Sequence, residues 1–192
     1  VKVVVGLGNP GATYEGTRHN IGFALIDAFA QAAGTALTNR RDRAVTARVR
    51  SGDQEILLVK PQTFMNLSGQ AVAAILRKDE IPLENLLVVC DDIHLPVGRL
   101  RIRAQGSSGG QNGLKNIAAQ LESDNWARLR LGVGEPPPGK QIDWVLSRFG
   151  PTDRRLMDDV LIVAMGAIEL WACDGTIAAA NRFNGLDLRA PE

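Results

Sequence analysis

Residues 3–23 read Val3-Val4-Val5-Gly6-Leu7-Gly8-Asn9-Pro10-Gly11-Ala12-Thr13-Tyr14-Glu15-Gly16-Thr17-Arg18-His19-Asn20-Ile21-Gly22-Phe23. The three valines are an apolar run suited to a buried strand. After the glycines, Ile21, Leu25, Ala28, Phe29 and Ala32 fall on one face of a helix. Strand, glycine-rich loop, helix is the local plan, and it points to an α/β fold. The loop carries His19, one of two histidines in the chain, to the start of that helix. Thr17 is a residue type that caps helix N-termini, which puts His19 in the first turn. Gly6-x-Gly8-x-x-Gly11 has the spacing of a dinucleotide fingerprint, but that fingerprint needs the helix to begin inside the glycine run, against the pyrophosphate. Here Ala12 to Thr17 intervenes, and Asn9-Pro10-Gly11 reads as a tight turn. A nicotinamide or flavin cofactor is therefore not expected.

Working outward, 192 residues suggest a single domain, 1–192, with volume for a true core. Hydrophobic residues at 45% and charged residues at 22% are ordinary for a globular protein and exclude disorder as the main state. No apolar run approaches the roughly 20 residues that span a bilayer, so no membrane association is expected. The chain starts at Val1 without a basic-then-apolar leader, so a cytoplasmic location and a trimmed initiator Met are expected. Cys90 and Cys173 lie in apolar sequence outside any Cys-x-x-Cys pair and read as small buried residues in a reducing compartment. The net charge of +1 is unevenly spread: residues 93–121 contain no Asp or Glu but hold Arg99, Arg101, Arg103 and Lys115. A near-neutral chain with such a stretch can still bind a polyanion.

Downstream, Val45, Ala47 and Val49 alternate with Thr46, Arg48 and Arg50, then Ser51-Gly52-Asp53 turns into an apolar strand ending at Lys60. This is a hairpin, with its arginines either a nucleic-acid contact or simple surface. Pro61 to Asn66 connects it to a helix through Leu67, Ala71, Val72, Ile75 and Leu76, ending before Pro82. Leu86 to Cys90 is continuously apolar, as a strand covered on both faces would be, and it ends in Asp91-Asp92. Two carboxylates at a strand end suit a metal, a charge pair, or a group that orients a histidine base. Too few oxygen or histidine ligands lie nearby in sequence, so no metal is expected. A carboxylate accepting from one imidazole nitrogen would leave the other free as a base.

Arg99 to Ala104 and Ala127 to Val133 alternate arginine with leucine or isoleucine, so each arginine set lies on one face of its strand. In a shared sheet they would form a basic face. Between them, Gly106 to Gly113 leads into a helix with Leu114, Ile117, Ala118 and Leu121. It lacks the Gly-Lys-Ser/Thr ending of a phosphate-binding Walker loop but exposes backbone N–H groups at a helix start. Pro136-Pro137-Pro138-Gly139 is a stiff loop. Leu156, Val160, Val163, Ala167, Leu170 and Trp171 trace a long helix closed by Asp174-Gly175, with a short helix after it. The expected fold class is α/β: one domain, a mixed twisted sheet, helices on both faces.

Four stretches, GLGNPG…Y…TRHNIGF, KPQTFMNLSG, DDIHLPVGRLR and GGQNGLK, together resemble the bacterial peptidyl-tRNA hydrolase family in the same order across essentially the whole chain. The resemblance implies hydrolysis of the ester between peptide and tRNA 3′ end, with His19 activating water and Asp91, rather than Asp92, orienting it. It implies that Asn9, Asn66 and Asn112 hold the ester and the peptide backbone, with Tyr14, Phe64 and Met65 lining the substrate site. Core packing is the alternative for Phe64 and Met65, and a helix N-cap for Asn66 and Asn112. By the same resemblance Arg103 and Arg130 contact tRNA phosphates, Lys115 on the helix between them is expected to join them by its position, and the substrate is engaged at its 3′ end and acceptor region. The family has an acidic residue where this chain has His94, which reads as surface. A cytoplasmic monomer without cofactor that recycles tRNA from aborted translation is expected. A non-catalytic RNA-binding protein on the same scaffold would keep the basic face but would not need His19, Asp91 and three asparagines together.

Overall fold

The structure, a computed structural model, describes residues 1–189. Seven strands form one mixed sheet: β1 Lys2–Gly6, β2 Asn39–Arg41, β3 Ala44–Ser51, β4 Gln54–Pro61, β5 Leu86–Asp92, β6 Leu100–Arg103 and β7 Ala127–Gly132, in the order β2-β3-β4-β1-β5-β7-β6. The four central strands β4, β1, β5 and β7 run parallel, and the outer strands pair antiparallel. Parallel strands need cover on both faces, which is why β5 is buried at every position from Leu86 to Asp92. Five helices supply it, α1 Ile21–Ala32, α2 Ser68–Lys78, α3 Asn112–Leu121, α5 Pro151–Asp174 and α6 Thr176–Phe183, while the short α4 Gln141–Val145 buries no residue.

The apolar residues of β1 separate by their period of two. Val4 joins Leu25, Ile26, Leu58, Leu87, Leu129 and Val160 under α1 and α5, while Val3 and Val5 join Leu57, Val72, Ile75, Val88 and Leu114 under α2 and α3. Burying each such side chain contributes about 1.5–3 kcal/mol. Gly6 and Gly22 let the end of β1 meet the start of α1: a Cβ on Gly6 would lie 2.2 Å from the Gly22 carbonyl oxygen. Leu7 N–H then donates to Val89 O at 3.0 Å, carrying the chain from β1 across the end of β5. The outer edge of β6 is covered by Asn184, whose side-chain amide exchanges two hydrogen bonds with the Ile102 backbone, at 2.8 and 3.0 Å.

The hairpin forms with its turn at Gly52, and Arg41, Arg43 and Arg48 are bound locally. Arg41 grips Asp79 with its two terminal guanidinium nitrogens and Asp42 with Nε, Arg43 reaches Gln70, and Arg48 pairs with Glu55. Two sequence expectations need correction. Cys173 is exposed, because it falls on the outer face of α5, whereas Cys90 is buried in β5. Thr17 does not cap α1: its hydroxyl donates to Tyr14 O at 2.8 Å, and a 3₁₀ turn, Arg18–Asn20, precedes the α-helix. His19 therefore lies one turn ahead of α1. Two short elements, β2 and α4, were too brief to show periodicity in sequence. Among the described residues no helix is long and apolar enough to cross a membrane.

Candidate active site

The carboxyl ends of the central parallel strands are on one side of the sheet, where ligands bind in open α/β folds. A cleft of about 520 Å³ opens there, between the loop after β1, the turn before α2, the end of β5, the start of α3, and α4. At its floor His19 Nδ1 lies 2.9 Å from Asp91 Oδ2. Asp91 is 4% exposed, at the end of the buried strand β5, and the His19 side chain is 13% exposed. An ionised carboxylate only accepts, so Nδ1 carries the proton and Nε2 is left as an acceptor. Burial pulls the His19 pKa down, while the hydrogen bond and charge of Asp91 raise it by more; the net position is above the ordinary histidine value.

Asn9 is held from three directions. Its backbone N–H donates to Asn20 Oδ1 and its carbonyl accepts from Asn20 Nδ2, both at 2.9 Å. Its side-chain Oδ1 accepts from Met65 N–H at 2.7 Å. That bond orients the amide, so Asn9 Nδ2 is the group free to donate to a ligand in the cleft. Met65 is buried and forms part of the floor, which makes it core and lining at once; Phe64, 59% exposed, stands at the mouth. Asn66, in the 3₁₀ turn before α2, and Asn112, the first residue of α3, both line the cleft and are exposed. The α3 cap is Gln111 rather than Asn112: Gln111 Oε1 accepts from Leu114 N–H at 2.9 Å.

Tyr14 is half-buried on the 3₁₀ turn Ala12–Tyr14, and it is not part of the cleft wall. His94 is exposed and lines the mouth, where its backbone N–H donates to Asp92 Oδ1 at 2.7 Å. Asp92 is thus committed to the turn after β5, and Asp91 alone faces His19. Burial pushes the Cys90 thiol pKa far up, which removes it as a nucleophile. Among the described residues no three His, Cys, Asp or Glu side chains converge as metal ligands.

The arginine strands are neighbours, as the basic-face expectation requires. Arg101 lies opposite Arg130 and Arg103 opposite Arg128 across the β6–β7 ladder. Their roles differ. Arg128 is 2% exposed, stacks 3.9 Å above the Trp126 ring and donates to the carbonyls of Gly106, Asp124 and Trp126. It is a structural residue. Arg130 is half-buried, lines the cleft, and donates to Ser107 O at 2.7 Å. Arg103 is exposed on the edge strand and Lys115 exposed on α3; both lie outside the cleft.

Three residues of the site carry no sequence signal of their own. Gln111 is 8% exposed and donates Nε2–H to Asp91 Oδ1 at 3.0 Å. Asn20 locks Asn9. Arg18, 6% exposed, lies 3.7 Å over the Trp144 ring and donates to Ser147 Oγ and Arg148 O, tying α4 and the segment after it to the loop that bears His19. A polar residue directly beside a candidate base, as Arg18 and Asn20 are, is the available clue; for Gln111 it is the cap position itself.

The peptidyl-tRNA hydrolase family profile matches residues 3–191. The chain is 43% identical to the peptidyl-tRNA hydrolase of Chlorobium luteolum over 186 residues, 96% of this chain and 98% of that one. It is 45% identical to that of Symbiobacterium thermophilum, also over 186 residues, covering 95% and 98%. The crystal structure of peptidyl-tRNA hydrolase from Acinetobacter baumannii superposes with a TM-score of 0.92 at 30% identity, covering 98% of this chain and 96% of that one. The cleft at the strand ends is thus built on a scaffold shared from end to end, and the chain belongs to the peptidyl-tRNA hydrolase family.

Proposed function

We infer that this chain, a member of the peptidyl-tRNA hydrolase family, hydrolyses peptidyl-tRNA. We propose that it does so by general-base catalysis, with His19 Nε2 taking a proton from water and Asp91 fixing the imidazole through Nδ1. The single observation carrying this reading is the 2.9 Å contact of Nδ1 with a buried carboxylate, which leaves Nε2 as the basic atom. The hydroxide formed attacks the ester carbonyl carbon. The carbonyl oxygen becomes an oxyanion, and Asn9 Nδ2, oriented by the Met65 N–H bond, is the donor best prepared to receive it. When the intermediate collapses, the imidazolium returns its proton to the departing 3′-oxygen of the tRNA.

Asn66 and Asn112 both line the cleft, with amides available to the peptide backbone. Phe64 and Met65 give that route an apolar surface, and Tyr14 meets the terminal nucleotide outside the cleft. Arg130, Arg103 and Lys115 receive phosphates of the acceptor region as charge contacts, without part in the chemistry. On this reading the enzyme works in the cytosol as a monomer, recycling tRNA from aborted translation, and needs no metal or cofactor. The test is release of N-blocked amino acid from N-blocked aminoacyl-tRNA, with free aminoacyl-tRNA as control. Release from the blocked substrate alone, surviving prolonged chelation, is expected. Equal cleavage of both substrates, or loss on chelation restored by one added ion, overturns the scheme.

A further inference from the structure

The Asp91 carboxylate has two hydrogen-bond partners, one on each oxygen. Oδ2 meets His19 Nδ1 at 2.9 Å and Oδ1 accepts from Gln111 Nε2 at 3.0 Å. The Gln111 amide is fixed in this orientation, because its Oε1 accepts the Leu114 N–H at 2.9 Å. A flipped amide would set oxygen against the carboxylate and NH₂ against a backbone donor, losing both bonds. Gln111 Nε2 also rests against Met65 Sδ at 3.4 Å, so the side chain is confined between the cleft floor and the start of α3.

We infer that Gln111 is a positioning residue for the His19–Asp91 pair, locking the carboxylate's rotation from its far oxygen and sharing its hydrogen-bonding capacity with His19. The inference rests on the proposed role of His19 as base. Its chemistry follows from the sharing of one carboxylate between two donors. A neutral amide donor draws on the charge of Asp91 and so limits how strongly Asp91 stabilises the imidazolium. The base must be neutral to accept a proton, and the Asp91 contact already holds its pKa above the ordinary histidine value. Without the Gln111 donor, more of the enzyme would be protonated and idle at neutral pH. Asp91 is the charged group hydrogen-bonded to His19. The cleft's other charged or titratable side chains are Asp92, His94 and Arg130, while α4 and the turn before α2 bring none.

Gln111 also caps α3, so the test must separate the two roles. Gln111→Met removes both the cap and the donor at similar volume. Gln111→Glu keeps an acceptor for Leu114 N–H but sets a second carboxylate beside Asp91 in place of a donor. The measurements are the pH profiles of kcat and KM on N-blocked aminoacyl-tRNA, and the imidazole NMR titration of His19. The chain has only two histidines, so His94 serves as internal reference.

In both variants the acid limb of kcat and the His19 titration are expected to move together to higher pH, by on the order of one unit for Met and more for Glu. KM should stay within about twofold, and kcat should recover toward its plateau at alkaline pH. Unmoved profiles in both variants, or restored activity in Gln111→Glu with the cap retained, overturn the inference and leave Gln111 a cap alone. Failure of the base assignment looks different: His19→Ala would keep turnover, while the His19 resonance would still report whether Gln111 tunes the pair.

Discussion

The loop from Leu7 to Asn20 and the loop from Ala104 to Gln111 are both rich in glycine, both follow a strand and both lead into a helix at the cleft, yet they are held by different forces. The first is pinned mainly by neutral hydrogen bonds, together with the buried Arg18 guanidinium on Ser147 Oγ and Arg148 O. Leu7 N–H reaches Val89 O, Asn9 and Asn20 exchange two bonds, Asn9 Oδ1 takes Met65 N–H, and Arg18 N–H reaches Ser147 O. The second is held by cations: Arg128 on Gly106 O and Arg130 on Ser107 O, each at 2.7 Å. Short neutral bonds are directional and insensitive to salt, which suits a loop that must place an imidazole against a carboxylate. Arg128 is buried and spent on carbonyls, whereas Arg130 is tied to the second loop through one nitrogen and keeps other donors at the cleft, which suits a group that meets a polyanion. On the proposed reading, the first loop serves the chemistry and Arg130 of the second loop serves the phosphates, both at the same cleft.

Removing His19 tests the chemical side and has the largest expected effect. His19→Ala should lower turnover by about 10²–10⁴-fold on full peptidyl-tRNA and on a minimal ester bearing only the last nucleotide. Single-turnover rates on the two substrates check it, and a loss confined to the full tRNA would move His19 to the binding side. Asp91→Asn should follow with a loss on the order of 10²-fold, from a misoriented imidazole, visible in kcat rather than KM. Asp92→Asn should do much less, since Asp92 serves the His94 turn. Equal severe losses at both carboxylates would mean that they act as one charge site.

The arginines test the other side. Arg103→Ala and Arg130→Ala should each reduce the slope of log affinity against log salt by about 0.7–0.9, as one phosphate contact is lost. Cleavage of the minimal ester should be unchanged in Arg103→Ala. In Arg130→Ala it should fall slightly, because the Ser107 carbonyl loses its donor and the second loop loosens. Unchanged salt slopes in both variants would reduce the basic strands to solvated surface.

The smallest effect is on stability. The His19 pKa is raised in the folded state, so the pair's contribution is fully present below the unfolded histidine value, about 6.5, and is lost as pH rises through the folded value. Thermal melting across that window should show Tm falling by at most about 3 °C, and Asp91→Asn should remove the drift. A Tm that instead rose through the window by the same route would contradict the charged His19–Asp91 contact.

Much of the fold could be read before any coordinates. Val3–Val5, Ile56–Val59 and Leu86–Cys90 are apolar without interruption because they become the parallel centre, and the hairpin, the arginine strands and the long helix announce themselves by period and turn residues. The site was legible where residues follow one another, as in Asn9 to His19, or stand at a strand end, as Asp91 does. Arg128 and Arg130 were not separable, since both occupy the same phase of one alternation. Only Arg128 lies beside Trp126 and the turn that buries it. Gln111 was hidden because its partner, Asp91, is twenty residues away along the chain.

The sequence by itself determined the strand and helix periods, the α/β class, the glycine-rich loops and the residue types that can act as base, orienter and amide donors, because these depend on neighbours within a few positions. Tertiary structure decided which arginine is buried, which residue caps α3 and how Asn9 is turned. Those outcomes depend on strand register and on the approach of β1 to α1 through Gly6 and Gly22. A shift of one residue in a strand would reverse the face of every side chain on it, and no local pattern records which partner will then be within 3 Å.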